Sequence, residues 1–346
     1  MKAVTVYLVP HSMLRGSELP RSDTLFGAIC WGIRLLFGEN RLEHILKAFE
    51  TDAVPFLLSS IFEYTEGENG KEHYFPKPLS DPYFPEKFAL KPPTAQETKA
   101  LKRLKNLSVV RHDLFMDMIA AEKSEADIYE AIVKGVEPVR PPRSNVIYTP
   151  HSAVNRVTEM AAADEIFYTE ELAFPSRAEG QHGGMFFCMK WCDEFAADLQ
   201  TVCYFLADKG IGGGVSSGKG QFTAIEIVEG LPYTEKEPAD DESSHVITLS
   251  LTYPDQGLQR LLSKSWYTLE RRQGKIESMY VAPASGHIWK NSLVMLQEGS
   301  TFPKNGRRYY GENPIVRRAD TDVPFDVRQY GYAFTVNTKH IQMGSA

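Results

Sequence analysis

A glycine-rich segment, GIGGGVSSGKGQF (residues 210–222), constrains the fold of this chain more than any other part of its sequence. Before it, apolar residues recur at helical intervals over residues 193–209. After it, residues 221–228 (QFTAIEIV) alternate in the manner of a strand. The pattern therefore predicts a helix, a glycine loop and a strand in direct succession.

The same segment is the main candidate for a binding site. Glycine permits positive φ and has no Cβ, so main-chain N–H groups lie open to an anion, and nearby Ser and Lys side chains add donors. Such a loop suits a phosphodiester backbone or a nucleotide, while a flexible turn is the simpler interpretation. The candidate residues are Gly212, Gly213, Gly214, Ser216, Ser217, Gly218, Lys219 and Gly220.

A nucleoside triphosphatase is disfavoured, although Gly213 to Lys219 fit the P-loop pattern G-x-x-x-x-G-K. The next residue is Gly220, where a P-loop has the Ser or Thr that binds magnesium. The order helix, loop, strand is also the reverse of the order that points a helix N-terminus at phosphate.

Further strand and helix patterns surround this unit. Residues 3–9 alternate as a strand, and residues 22–37 carry a wide apolar stripe at helical spacing, with Ser22 as the predicted N-cap. Residues 185–191 indicate another strand, and a fourth is expected near residues 54–64. This order predicts a ferredoxin-like βαββαβ domain.

The predicted fold class is α+β, with two ferredoxin-like (RRM-like) βαββαβ domains. The first spans residues 1–230, and residues 231–243 form an acidic linker that contains two prolines. The second domain spans residues 244–346, with expected strands at 245–252 and 330–336.

The first domain contains a long insertion at about residues 66–183, which is too long for one simple loop. Helices are expected near residues 95–106 and 123–134. An irregular or hairpin-like arm is expected from about residue 143 to residue 174.

The net charge of −7 does not suggest a nucleic-acid binder, but the charges are unevenly distributed. Residues 87–111 carry seven Lys or Arg and one acid, and residues 304–318 carry five and one. Residues 229–242 instead carry six acids and one Lys. Local basic surface is therefore available to RNA, although a solvated helix face explains the first run equally well.

The sequence favours a cytoplasmic protein. No apolar run reaches the roughly 18–20 residues that span a bilayer, and the N-terminus lacks the pattern of a signal peptide. The four cysteines do not form the paired sets of a zinc site, so reduced core thiols are expected.

Three further segments, taken with the loop, give the chain a family resemblance. A glycine-rich loop between the last helix and last strand of a ferredoxin-like domain resembles the RAMP superfamily of CRISPR proteins. SDTLFGAICW (22–31) is similar to the first-helix signature of the Csm subunit 4 family of type III-A effector complexes. NVIYTPHSAVNRVTEMAAADEIFYTEE (145–171) and YGYAFTV (330–336) resemble its arm and its C-terminal strand. Ala161 to Ala163 stand where many relatives have glycine, which bears on the geometry of the arm.

The resemblance implies a non-catalytic RNA-binding subunit of a type III-A CRISPR ribonucleoprotein. Such a subunit grips the 5′ handle of the guide RNA and contacts the large polymerase-like subunit and a backbone-forming RAMP subunit. No cofactor, metal or membrane partner is expected. A scaffold subunit of another type III complex would share this fold and role and differ in its partners.

The start of the first predicted helix offers further RNA contacts. Ser22 and Thr24 can donate to phosphate together with the helix N-terminus, and Ser22 as a plain N-cap is an equal alternative. Arg21 is the better phosphate ligand, because the helix pattern gives it no other role.

In the arm, Arg143, Asn155 and Arg156 are candidate RNA-binding residues. Arginine is favoured for bidentate phosphate contacts and for stacking on a base. A salt bridge to Glu159 or Asp164 is the alternative role for Arg156.

The alternative function is a metal-independent ribonuclease that processes guide precursor RNA. Some RAMP relatives cut RNA by general acid–base chemistry on the 2′-hydroxyl, which typically needs a His or Tyr near a Lys. His11, Tyr148 and His151 are the candidates, and Tyr148 and His151 can equally stack on bases or contact protein. No motif in the sequence places any of them beside the glycine-rich loop.

Overall fold

The structure is a computed structural model of the chain. It describes residues 1–51, 53–68, 70–136, 144–154, 157, 159–174, 182–234, 244–276, 288–321 and 323–339. The chain divides into two compact units. The first unit comprises residues 1–55, 61–72 and 142–230. The second unit comprises residues 56–60, 73–141 and 231–346.

Strands and helices are numbered in chain order over these described residues. The strands are β1 (Lys2–Pro10), β2 (Leu14–Arg15), β3 (Phe56–Leu58), β4 (Phe62–Gly67), β5 (Gly70–Pro76), β6 (Val109–Arg111), β7 (Asn145–Val154), β8 (Ala161–Ala173), β9 (His182–Trp191), β10 (Phe222–Glu229), β11 (Ser244–Thr248), β12 (Leu269–Arg272), β13 (Leu293–Leu296), β14 (Thr301–Pro303), β15 (Ile315–Arg317), β16 (Val327–Arg328) and β17 (Thr335–Lys339). The α-helices are α1 (Ser22–Phe37), α2 (Glu39–Ala48), α3 (Ala95–Asn106), α4 (His112–Ile119), α5 (Glu125–Val133), α6 (Asp193–Lys209) and α7 (Gln256–Gln259).

The first unit is built on four antiparallel strands in the order β10-β1-β9-β4. Val6, in the middle of β1, pairs with Ile227 of β10 and Phe187 of β9. Helices α1 and α6 pack together where Gly32 leaves room for Val202, since a Cβ on Gly32 would lie 2.7 Å from a Val202 methyl. The predicted strands and helices of residues 1–37 and 185–228 are thus confirmed.

Helix α1 corrects one prediction. The helix begins at Ser22 itself, and the N-cap is Arg21, whose side chain makes no capping hydrogen bond. Ser22 is the first residue of the helix and is fully buried. The predicted helical range of residues 22–37 is confirmed, and Gly38 after it has the positive φ of 85° that glycine tolerates.

The arm is a hairpin of β7 and β8, with β2 paired to the other edge of β8. Its register pairs Asn145 with Ala173 and Ser152 with Ile166. Val154 pairs with Ala161, so the strand continues through the first of the three alanines. The hairpin form predicted for residues 143–174 is confirmed over the described residues of that range.

In the second unit, β14-β11-β17 form an antiparallel sheet beside the hairpins β12-β13 and β15-β16. Its core is a cluster of buried residues, Val246, Leu258, Leu296, Phe302, Tyr310 and Ala333. The helices predicted near 95–106 and 123–134 are confirmed as α3 and α5. Both begin at capping boxes, Thr94 with Glu97 and Ser124 with Asp127.

The division of the chain differs from the predicted domain boundaries, since residues 73–141 group with residues 231–346. Hydrogen bonds across large sequence separations hold this group together. The N–H of Leu79 donates to the Gly299 carbonyl at 2.9 Å, and the Thr338 hydroxyl donates to the Ile119 carbonyl at 3.0 Å. No local sequence pattern indicates such bonds. The sequence analysis therefore predicted that residues 73–141 belong to the first domain.

The second predicted ferredoxin-like domain lacks its two long helices in the described part of residues 244–346. The α-helix found there, α7, has four residues. Leu258 in α7, with Leu261 and Leu262 just after it, spans too few turns to bury a helical stripe. The strands are also shorter than predicted, because β11 ends at Thr248 and β17 starts at Thr335. None of the described helices is both long and apolar enough to cross a membrane.

Candidate nucleic-acid interface

The glycine-rich loop connects α6 to β10 and is closed at its base. The N–H of Ile211 donates to the Gly220 carbonyl at 3.0 Å, and the N–H of Gly220 donates to the Met13 carbonyl at 2.9 Å. A Cβ on Gly220 would overlap the Ile211 carbonyl, and a Cβ on Gly210 would lie 2.9 Å from the Gly220 carbonyl. These two glycines therefore allow the two ends of the loop to meet.

The tip of the loop is a single 3-10 turn, Val215–Ser217, between two left-handed glycines. Gly214 has φ 75° and Gly218 has φ 79°. The N–H groups of Ser217 and Lys219 both donate to the Gly214 carbonyl, at 2.9 and 3.1 Å. The Ser217 hydroxyl donates to the same carbonyl at 2.8 Å, so this predicted donor is used within the loop.

Several donors of the loop remain open. Within the described part of the chain, the N–H groups of Gly212, Val215 and Ser216 have no hydrogen-bond acceptor. Ser216 is exposed, and Gly218 has open space where a Cβ would stand. Such main-chain N–H groups are what an anion needs.

The side chain of Lys219 is paired with an acid on the arm. Its Nζ donates to Glu171 Oε2 at 2.7 Å, and the Glu171 carboxylate is buried at 1% exposure. Thr149 and Thr169 also donate to that carboxylate, at 2.9 and 3.4 Å. Burial raises the pKa of Glu171, but the hydrogen bonds from Lys219 and the two threonines have the opposite and larger combined effect. The pKa of Glu171 is therefore lowered. Lys219, which the sequence predicted as an RNA-binding residue, therefore neutralises Glu171 in this structure.

Arg15 also lies beside the loop, and it was not among the candidates predicted from the sequence. It lies in β2, forms an isolated antiparallel bridge with Gly213, and places its side chain along the bare backbone of the loop. A Cβ on Gly213 or Gly214 would lie 3.5 or 3.4 Å from Arg15 Cδ. Arg15 is exposed and has no ion pair among the described residues. No signal in the sequence connects it with a loop about two hundred residues away.

The start of α1 also borders the loop, since a Cβ on Gly212 would lie 3.8 Å from Pro20. Arg21 Nη2 donates to Glu18 Oε2 at 3.1 Å, and its side chain is 19% exposed. Ser22 is buried and does not reach the surface. The candidates Arg143, Asn155 and Arg156 lie outside the described residues.

The candidate ribonuclease residues lie in different surroundings. The N–H of His11 donates to the Gln221 carbonyl at 2.8 Å, so this exposed histidine borders the end of the glycine-rich loop. His151 stacks on Phe167 at 5.3 Å between ring centroids and hydrogen-bonds Thr169 Oγ1 at 2.8 Å. Tyr148 is 64% exposed on the arm.

Among the described residues, no group of three or more His, Cys, Asp or Glu side chains is arranged to hold a metal ion. Cys188 and Cys203 are buried, and Cys30 and Cys192 are half-buried. Burial raises the pKa of the Cys203 thiol to about 12, so this sulfur stays protonated.

Comparisons with known proteins show a similarity to one family. A family model of the CRISPR Csm4 C-terminal domain matches residues 241–338. The protein named "CRISPR system Cms protein Csm4" from Thermococcus onnurineus (strain NA1) is 28% identical over 293 residues, which are 84% of this chain and 88% of that protein. The chain is similar to Csm4 proteins. The family resemblance inferred from the sequence is thereby confirmed.

Solved structures with Csm4 share the fold at low identity. The chain matches the Csm3-Csm4 subcomplex of a type III-A CRISPR-Cas interference complex with TM-score 0.60 and 18% identity, covering 97% of this chain and 99% of that one. It matches a Csm1-Csm4 cassette in complex with pppApA with TM-score 0.58 and 19% identity, covering 99% and 100%. At this identity the matches show a common mixed α+β fold of antiparallel sheets.

Proposed function

We propose that this chain is a non-catalytic RNA-binding subunit of a type III-A CRISPR ribonucleoprotein that grips the 5′ handle of the guide RNA. The observation that carries the proposal is the glycine-rich loop. Its open N–H groups at Gly212, Val215 and Ser216 form a surface that suits the phosphates of a single strand. The arm borders the loop through the Lys219–Glu171 ion pair, so both belong to one surface of the first unit.

The fold of the first unit supports this role. Strands in the order β10-β1-β9-β4, crossed by α1 and α6, have the connectivity of a ferredoxin-like βαββαβ domain, and we assign the first unit to that fold. Many RNA-binding domains use this architecture.

The proposed partners are the large polymerase-like subunit and a backbone-forming RAMP subunit. Relatives of this chain are found in a Csm1-Csm4 cassette and in a Csm3-Csm4 subcomplex, which supports two separate protein contacts. We propose that this assembly is cytoplasmic.

Copurification with the sibling subunits tests the proposal. The complex is expressed with guide RNA, purified, and its RNA is sequenced, with RNA retention compared between Gly218→Val and Gly135→Val. Both glycines have positive φ, 79° and 81°, and open space for a Cβ, so the two variants carry similar backbone strain. Gly218→Val is expected to lose the 5′ handle, because its side chain covers the loop tip. Equal RNA retention in two variants of equal melting temperature would refute the role of the loop.

The metal-independent ribonuclease stays a second candidate because His11 borders the loop. The isolated protein, incubated with guide precursor RNA, is expected to leave it intact. Defined cleavage products that disappear in His11→Ala would favour the ribonuclease. Products that persist in His11→Ala and His151→Ala would indicate a contaminating nuclease.

A further inference from the structure

Two cationic side chains lie at the glycine-rich loop, and their surroundings differ. Lys219 lies within the loop and is 20% exposed, with its Nζ on the buried Glu171 carboxylate. That carboxylate also accepts hydrogen bonds from the hydroxyls of Thr149 and Thr169, which lie with it in the arm. Moving Lys219 to a phosphate would leave Glu171 as an uncompensated buried charge, which is strongly unfavourable.

Arg15 has the opposite surroundings. It is exposed, it lacks an ion-pair partner among the described residues, and its stem lies against Gly213 and Gly214. In the β2–β8 register Arg15 stands opposite Glu171. Since Lys219 already occupies that carboxylate, the charge of Arg15 remains available. A guanidinium also offers paired N–H donors that match two oxygens of one phosphate.

We infer that Arg15, and not Lys219, supplies the positive charge that binds an RNA phosphate at the glycine-rich loop. Lys219 and Glu171 act together as an internal ion pair that joins the loop to the arm. The inference rests on the proposed function, because it names the cation of that same site. The glycines then provide neutral main-chain donors, and Arg15 provides the salt-dependent contact.

The salt dependence of RNA binding separates the two cations. Each phosphate contact with a single strand contributes about −0.7 to the slope of log K against log salt concentration. Affinity of the full chain for a fluorescently labelled single-stranded RNA is measured over a salt series. Arg15→Gln is compared with Arg260→Gln, which changes an exposed arginine of the second unit that has no described partner.

The ion pair is removed as a unit by Glu171→Leu with Lys219→Met. Lys219→Met alone is unsuitable, because it would leave Glu171 free to attract Arg15 from across the strand pair. Melting temperatures of all variants are recorded alongside the affinities. Arg15 is exposed, so Arg15→Gln is expected to fold and decides the question even if the double variant does not.

The expected result is a slope shallower by about 0.7 in Arg15→Gln and unchanged in Arg260→Gln and in the double variant. An unchanged slope in Arg15→Gln, or a shallower slope in a folded double variant, would overturn the assignment of the charge while leaving the proposed function intact. Absence of RNA binding by the parent protein at every salt concentration would overturn both.

Discussion

The N–H of Ile211 donates to the Gly220 carbonyl oxygen at 3.0 Å and closes the base of the glycine-rich loop. This bond requires the two chain ends to approach so closely that no Cβ fits at position 220. Gly218, at the tip, has the same left-handed backbone but open space around it. The glycines of the loop therefore have two different roles, one in closing its base and one in exposing its tip.

Alanine substitutions are expected to separate these roles by stability. Gly220→Ala places its Cβ on the Ile211 carbonyl and strains a φ of 68°, so we expect it to lose about 3 kcal/mol or more of unfolding free energy. Gly218→Ala adds only the strain of a positive φ, about 1 kcal/mol. Chemical denaturation of both variants measures the difference. Equal losses would contradict the closed-base geometry.

Local sequence patterns predicted much of the first unit, but contacts between residues distant in sequence could not be predicted. Helices α1 and α6, the strands beside them and the loop were predictable because their apolar periodicity lies within short windows. The pairing of Lys219 with Glu171 spans 48 residues and depends on the fold of the arm, so the sequence could not reveal it. The exposed position of Arg15 beside Gly213 depends on the same fold.

The buried position of Ser22 shows a second limit. A serine at the start of an apolar helical stripe is typical of an N-cap, but the helix here starts one residue earlier than that pattern implies. A shift of one residue turns a side chain by about 100° around a helix, which suffices to move it from the end of the helix into the core.

A buried ion pair in the second unit gives a further prediction. Lys77 is 8% exposed, and its Nζ donates to Glu125, whose other oxygen accepts the N–H of Tyr83 at 3.1 Å. Lys77→Met leaves the carboxylate buried without its cation, so we expect a loss of about 3–5 kcal/mol in unfolding free energy. Adding Glu125→Gln removes the charge and keeps an acceptor for Tyr83, and it should recover much of that loss. A double variant less stable than Lys77→Met would contradict the prediction.

The hydroxyl of Tyr330 satisfies a buried main-chain donor in the same unit. It accepts the N–H of Leu58 at 2.8 Å, and both residues are fully buried. Tyr330→Phe should cost about 1–3 kcal/mol, because the Leu58 N–H would remain buried without an acceptor. Tyr267→Phe, at a residue that is 39% exposed, is the matched control and should change stability by less than about 0.5 kcal/mol. Equal effects of the two substitutions in thermal denaturation would show that this hydrogen bond is unimportant.

A buried carboxyl group beside the arm makes the stability of the first unit depend on pH. Glu63 is 7% exposed, one of its oxygens accepts the Ser144 hydroxyl, and the other has no partner in the described structure. Burial raises the pKa of Glu63 to about 7, although the Ser144 hydrogen bond acts in the opposite direction.

The raised pKa determines the direction of this dependence. Between the ordinary carboxyl pKa and about 7, the native protein holds a proton at Glu63 that the unfolded chain has released. The stabilisation from this group is therefore complete below the ordinary pKa and is lost as pH rises towards 7, by an amount on the order of 3 kcal/mol at most. In Glu63→Gln that loss is expected to disappear, while Glu68→Gln, at an exposed carboxylate just after the same strand, should retain it. Unfolding free energies at about pH 5 and about pH 8 test this, and an undiminished pH dependence in Glu63→Gln would show that another group titrates.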